Sequence, residues 1–429
     1  MTQHAGVFSN LENYMSSAAG QVTPMNVLIA HNRYKIRGGE DARSEDDVAM
    51  LRARGHTVHH YVVNNDGLSG LQLLTLPVRS IWSQSDYRKI REIISHERID
   101  IVHVHNYQPL ISPAIFHAAH REGVPTVMTL HNYRLICPAG QFLREHRICE
   151  ECVGKSFAYP GIVHACYRES RIMTGAVAAS LAAHRWMRTW DRTVSAYIVL
   201  TEFARNKFTQ GGLPAAKLYY RPNFVPDTGV GKGRGGYVLF VGRLSPEKGI
   251  NIMLDAWKTI GSHVALKIVG DGPLKESVET AVKEIPSVEL LGRKTPQEVY
   301  DIMGDAAAVL VPSVWYEGAP QVILEAFAKG TPAIVSKLGG MESMVDHQRT
   351  GLCFEAGNAG ALASAVTELI SNRETLARMR ENSRAEYEEQ YTEPISYDRL
   401  LRLYQSLRAG LPVPAYTANR TSGAILPSV

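Results

Sequence analysis

Short, nearly unbroken apolar runs alternate along this chain with longer stretches in which apolar residues recur every three or four positions. The first pattern suits strands of a parallel sheet buried on both faces, and the second suits helices lying on that sheet. Asn26 to Ala30 (NVLIA) opens the series, and further strands are predicted at 57–62, 101–105, Thr126–Leu130 and 197–200. A helix is predicted over 41–54, with Gly55 closing it. At 226–236 the pattern gives way to PDTGVGKGRGG, a linker composition, and then restarts with Tyr237–Val241, a helix from Gly249, a strand at Ala265–Val269 and further units to about 369. The charged stretch 372–391 reads as a helix, and Pro394 begins a last amphipathic helix to about 407. The fold class is therefore α/β, with two Rossmann-like doubly wound domains facing a cleft. Ligands of such sheets sit beyond the carboxyl ends of the strands.

The divisions expected are a loose extension over 1–24, a first domain over 25–226 and a linker over 227–236. A second domain over 237–393 follows, then a helix at 394–410 returning to the first domain and a flexible tail at 411–429. At 429 residues the chain has room for two such cores, and 45% hydrophobic and 21% charged residues are ordinary for a globular protein. A formal net charge of +4 gives no reason to expect nucleic acid as a partner. No apolar run is long enough to span a membrane, and the opening residues lack the pattern of a secretory signal. Five cysteines, an odd number, point to a reducing compartment. The expected location is the cytoplasm, at the inner face of the cell membrane.

Three segments of the second half carry chemistry at predicted strand ends. In GRLSPEKG, Arg243 and Lys248 lie five positions apart just before a helix, a planar fork and a point charge suited to a diphosphate. In GDGP, Gly270 and Asp271 form a turn that lets a ligand approach the backbone. In EGAPQVILEA, Pro320 reads as the first residue of a helix. Free amides around Gly318 and Ala319 at that helix start favour an anion. Glu317 precedes the helix and Glu325 lies in its second turn, two carboxylates able to accept hydrogen bonds from sugar hydroxyls.

Together these turns resemble the retaining glycosyltransferases of family four, which have the GT-B fold, over about 25–407. The resemblance implies that Arg243 and Lys248 bind the diphosphate of a nucleotide-sugar donor. It implies that Glu317 holds hydroxyls of the transferred sugar, that Glu325 holds the ribose and that the base rests near Gly292 and Arg293. In the first half it matches Gly38 and Gly39, after Arg37, to a glycine-rich loop beside the phosphates, and His131 to a histidine against the donor sugar. Asn223 matches the asparagine that precedes the interdomain linker. The implied reaction is metal-independent, hexosyl-type transfer with retention to a glycan or lipid-linked acceptor in polysaccharide assembly. The acceptor hydroxyl attacks from the front face, and the departing phosphate serves as base. A sugar-nucleotide epimerase of the same architecture and a non-catalytic sugar-nucleotide-binding assembly protein are the alternatives. A nicotinamide dehydrogenase is disfavoured, because no G-x-G-x-x-G follows either opening strand.

Cys137, Cys149, Cys152 and Cys166 fall within a loop-like insertion at about 137–166. A close C-x₂-C with two flanking cysteines has the ligand count of a structural zinc site. Scattered thiols and redox disulfides stay open beside it, and His131, His146 and His164 are spare ligands. Cys353 sits in an apolar strand pattern. The stretches 68–91 and 168–192 mix arginines with tryptophans, which suits either an anionic membrane surface or helices packed on the sheet.

Overall fold

The computed structural model describes residues 23–33, 38–64 and 78–415. The expected extension over 1–24, apart from its last two positions, Arg37, much of the stretch 68–91 and the tail beyond 415 lie outside these residues.

The first lobe runs β1 (Asn26–Arg33), α1 (Gly39–Ala53), β2 (Thr57–Asn64), α2 (Gln84–Glu97), β3 (Ile101–Asn106), α3 (Ala114–Arg121) and β4 (Thr126–Leu130). A small hairpin, β5 (Leu143–Arg144) and β6 (Arg147–Ile148), then precedes α4 (Tyr159–Val163), α5 (Arg171–Trp186), β7 (Ala196–Val199), α6 (Glu202–Gln210) and β8 (Leu218–Tyr220). The second lobe runs β9 (Tyr237–Val241), α7 (Ile250–Ile260), β10 (Ala265–Val269), α8 (Lys275–Glu284), β11 (Val288–Gly292), α9 (Pro296–Asp305) and β12 (Ala308–Val311). It continues with α10 (Gln321–Ala328), β13 (Ala333–Ser336), α11 (Gly339–Met344), β14 (Gly351–Phe354), α12 (Ala359–Ser371) and α13 (Arg373–Gln390), and the chain closes with α14 (Glu393–Arg408).

Each lobe holds one parallel six-stranded sheet, ordered β2-β1-β3-β4-β7-β8 and β11-β10-β9-β12-β13-β14. The apolar runs are unbroken because alternate residues of a strand feed different cores. On β1, Leu28 and Ala30 enter one cluster with Ile115 and Phe116, while Val27 and Ile29 enter another with Leu51 and Tyr219. On β9, Val238 and Phe240 pack with Trp257, while Tyr237 and Leu239 pack with Phe327. Both lobes are therefore three-layered, with helices on each face of the sheet.

The last helix belongs by packing to the first lobe. Tyr397, Leu400, Leu403, Tyr404 and Leu407 of α14 complete the cluster that contains Val27 and Ile198. Polar contacts fix its angle: Tyr397 OH meets His56 Nε2 at 2.8 Å, and Arg54 pairs with Glu393 at 2.6 Å. The chain thus passes between lobes twice, once after β8 and once before α14. The two passages touch, since Val225 N donates to Tyr391 O at 3.2 Å and Tyr387 OH to Val225 O at 3.1 Å.

Candidate active site

Strand order brings the separated motifs to one edge. β11, β10, β9 and β12 are neighbours, so Gly292, Gly270, Gly242 and Pro312 follow one another along the carboxyl ends of the second sheet. The turns beyond them are packed too closely for side chains. A Cβ on Gly270 would lie 1.9 Å from Gly242 O, and one on Gly249, whose φ is +72°, would lie 1.9 Å from Pro312 O. In this way the backbone holds the Arg243–Lys248 turn against the β12 loop.

That contact places Lys248 Nζ 2.7 Å from Glu317 Oε1, and Ser313 Oγ donates to the same oxygen. Glu317 is buried, with 6% of its surface exposed, so an unpaired carboxylate there would be costly; the lysine and serine satisfy it. The sequence reading gave these two residues separate ligands, whereas the structure pairs them with each other. Arg243 is exposed, and its side chain makes no hydrogen bond or ion pair among the described residues. Pro320 is the residue capping α10 and not its first helical residue, because its ψ of 114° is extended. The amides at the start of α10 have no carbonyl within the helix to bond.

The first lobe meets this edge directly. A Cβ on Gly318 would stand 2.9 Å from His131 O, and one on Gly39 would stand 3.5 Å from Gln321 Nε2. The first residues of α1 and α10, two positive helix ends, therefore stand close to each other. Gly38 N donates to Asp41 Oδ2 at 2.7 Å, and Asn132 Nδ2 donates to Glu40 Oε1 at 2.8 Å, fixing the first turn of α1 to the end of β4.

Behind His131 runs a chain of buried polar groups. His131 Nε2 lies 3.1 Å from His105 Nδ1, and His105 Nε2 lies 3.4 Å from Asp47 Oδ2. Both Asp47 oxygens accept from Arg221, at 2.6 and 3.0 Å. His103 lies tilted beside His105 and uses both nitrogens, on Tyr404 OH and Thr129 Oγ1, each at 2.7 Å. Burial, and then the neighbouring His105, hold the His131 imidazole well below its ordinary value, so it is neutral near pH 7. Burial alone would raise the Asp47 carboxyl; the Arg221 guanidinium and the His105 imidazole together outweigh it and hold the group well below the usual carboxylate range. Asp47, His103 and His105 lie close enough to hold a cation, their ligand atoms being within 4.8 Å of one another. The guanidinium already on Asp47 and the two partners of His103 occupy these groups without a cation, while His105 Nε2 stands beside Asp47 without a hydrogen bond.

Glu325 faces inward from α10, where burial raises its carboxyl and Arg43 of α1 pulls the other way. Asp271, Gly292 and Arg293 form a separate group at the ends of β10 and β11: Arg293 Nε donates to Asp271 Oδ2 at 3.0 Å, and Gly270 N to Gly292 O at 2.9 Å. Cys137, Cys149, Cys152 and Cys166 all line one small cavity, with His164 among its walls. Burial pushes the Cys152 thiol up to about 11, and the other three thiols push the same way. Cys353 is on β14, outside that group.

Sequence reading missed Asp47, Arg221 and Tyr404. It also missed Tyr316, which donates to Glu150 of the cysteine-rich insertion at 2.8 Å. Asp41, Ser44 and Asp47 recur at helical spacing on the buried face of α1. Polar residues at such spacing read as a solvated face unless the histidines opposite them are known.

Two family models match: one described as glycosyl transferases group 1 over residues 230–386, and one as glycosyltransferase family 4 over residues 48–228. An uncharacterized glycosyltransferase of Methanocaldococcus jannaschii is 35% identical over 36% of this chain and 43% of its own length. This chain thus spans less than half of that relative. A GDP-mannose-dependent alpha-mannosyltransferase of Mycobacterium tuberculosis is 28% identical over 72% of this chain and 73% of its own length. Among solved structures, Anabaena HepE in complex with UDP superposes with a TM-score of 0.63 at 17% identity, covering 89% of this chain and all of the other. With two parallel-sheet lobes and both family models side by side along it, the chain belongs to the family 4, group 1 glycosyltransferases of GT-B fold.

Proposed function

We propose that this protein transfers a sugar, with retention of anomeric configuration, from a nucleoside diphosphate sugar to a glycan or lipid-linked acceptor in polysaccharide or glycolipid assembly. One observation carries the reading: the Lys248–Glu317 pair lies beside Gly318 at the start of α10, facing Gly39 and His131 of the other lobe. A diphosphate in that gap would meet Arg243, Lys248 and two helix starts, which stabilise charge growing on the leaving group. Glu317 would grip the sugar hydroxyls, with neutral His131 on the opposite side, and Glu325 would take the ribose. The base would lie toward Asp271, Gly292 and Arg293. Front-face attack needs no protein nucleophile, and the departing phosphate accepts the acceptor's proton. The cations of the chain do the work that a divalent ion does elsewhere, so the reaction is metal-independent.

Relatives named for GDP-mannose and a structure named for UDP leave the base to be found by trial. Binding of a UDP- or GDP-sugar should raise the melting temperature, since ligand at about 100-fold its Kd adds roughly 2.7 kcal/mol. The matching donor and acceptor should then give product at the same rate in EDTA. Lys248→Ala should lower turnover on the order of 10²-fold or more while the chain stays folded. Turnover abolished by EDTA and restored by magnesium would sink the metal-independent mechanism, and donor conversion without acceptor would mark an epimerase.

A peripheral membrane role fits the first lobe. Ile172 and Trp186, fourteen residues apart on one side of α5, are 82% and 86% exposed, while Trp190 is buried. Among the described residues no helix is long and apolar enough to cross a membrane.

A further inference from the structure

The cysteine-rich insertion is the one motif that the transfer reaction leaves unused. Its four sulfurs come from separate pieces of chain: the turn after β4, the end of the β5–β6 hairpin, the turn that follows it, and the turn after α4. They line a single cavity of about 20 Å³, which is room for one ion or one water. The hairpin presents Cys149 through a two-residue turn with Glu145 and His146 at φ of 50° and 63°, a geometry that ordinarily calls for Asn-Gly. Phe142, Ala165, Arg168 and Glu169 also have positive φ, so six of the ten such non-glycine residues among those described cluster here. Conformations of this kind persist only where something over-determines them. Residues 137–169 contribute only Cys137 and Phe142 as buried members of the large apolar clusters, with the partly buried Ala139 and Val153 packed against them, so packing alone is a weak restraint.

The rest of the wall is mostly apolar, from Pro138, Ala139, Leu143, Pro160 and Gly161, with Arg144, Glu151 and His164 as its polar members. Arg144 lines it, and its Nη1 is buried without a hydrogen-bond partner, while Nη2 pairs with Glu151 at 2.8 Å. A buried guanidinium N–H without a partner, on a side chain that lines the same cavity as the four cysteines, suits a thiolate acceptor there, since metal-bound sulfur accepts such bonds and carries excess negative charge.

We propose that Cys137, Cys149, Cys152 and Cys166 bind one thiophilic divalent cation, zinc, as thiolates, and that the resulting knuckle braces the sugar-side loop of the other lobe. Binding releases the thiol protons to solvent and forms four metal–sulfur bonds, with no change of oxidation state. The brace is visible at Glu150, between two of the ligands. It accepts from Tyr316 OH and from Lys207, each at 2.8 Å, and Phe142 packs edge-on against the Tyr316 ring. Tyr316 immediately precedes Glu317, so the knuckle reaches across the cleft to the residue before the buried carboxylate.

The full-length chain, purified without chelator, should carry about one zinc, and Co²⁺ loaded in its place should show thiolate charge-transfer and tetrahedral ligand-field bands. Cys149→Ser and Cys152→Ser should lose both signals, and Cys353→Ser should keep both. Should the serine variants fail to fold, the cobalt spectrum of the unaltered chain decides by itself. Absence of metal with freely reactive thiols, or disulfides found by non-reducing peptide mapping, overturns the site. For the brace, stripping the metal should speed amide exchange across residues 313–319, and Glu150→Gln, with its metal retained, should do the same. Unchanged exchange in both overturns the link and leaves a purely local metal.

Discussion

A buried imidazole stays neutral because burial opposes its charge, and this chain holds several. Burial lowers His103 and His131 well below their ordinary range, and holds His60 and His184 at about 4. In the unfolded chain each would titrate near 6.5. Between these values the unfolded state binds more protons, so this stability is fully present above about pH 6.5 and is lost as pH falls toward the folded values. Each such group contributes up to about 1.4 kcal/mol per pH unit in that window. The denaturant midpoint should therefore drop clearly between about pH 7.5 and pH 5, and less in His184→Asn; an equal drop in the variant would show that His184 is not held neutral. The same physics suits His131 to hydrogen bonding with a sugar in place of carrying charge beside it.

Strand-end turns act as the joints of this molecule, and their glycines set how near two backbones can come. Gly318→Ala would push a methyl to 2.9 Å from His131 O, where the first lobe must retreat by a few tenths of an ångström. Donor affinity should fall several-fold while each lobe keeps its melting behaviour; unchanged affinity would mean that the contact is not part of the closed site. Gly270→Ala meets Gly242 O at 1.9 Å and should destabilise the second lobe itself, by roughly 1–3 kcal/mol or more. These elements were mostly legible in the sequence. NVLIA and YVLFV announce strands buried on both faces, and GRLSPEKG, GDGP and EGAPQ carry their glycines where adjacent strands end. What stayed hidden is pairwise: that Lys248 reaches Glu317, that Tyr316 reaches Glu150, and that α1 turns Asp41 and Asp47 inward onto histidines of β1 and β3. Contacts between residues from 10 to 166 apart, made between different elements, leave no periodicity to read.

At the scale of the whole molecule, the first lobe is incomplete without the end of the chain. Its cluster around Val27 and Ile29 is closed by Leu400, Leu403 and Tyr404, and Arg221 reaches both Asp47 and Ser396 O. A chain ending before Glu393 should expose that face and leave His103 without Tyr404. Its first lobe should aggregate or unfold early, read by calorimetry as loss of one transition while the second lobe's transition remains. Arg221→Ala should cost about 3–5 kcal/mol by stranding a buried carboxylate; a loss below about 1 kcal/mol would remove Asp47 from the support of the histidine chain.

The paired passages between lobes have a mechanical meaning. A single tether would let one lobe swivel freely on the other, in any direction. Two tethers laid side by side and bonded at Val225, Tyr387 and Tyr391 behave like a strap hinge, which bends easily about one line and resists twist. Any opening of the cleft would then follow one repeatable arc and bring Gly39 and His131 back to the same spot over Gln321 and Gly318.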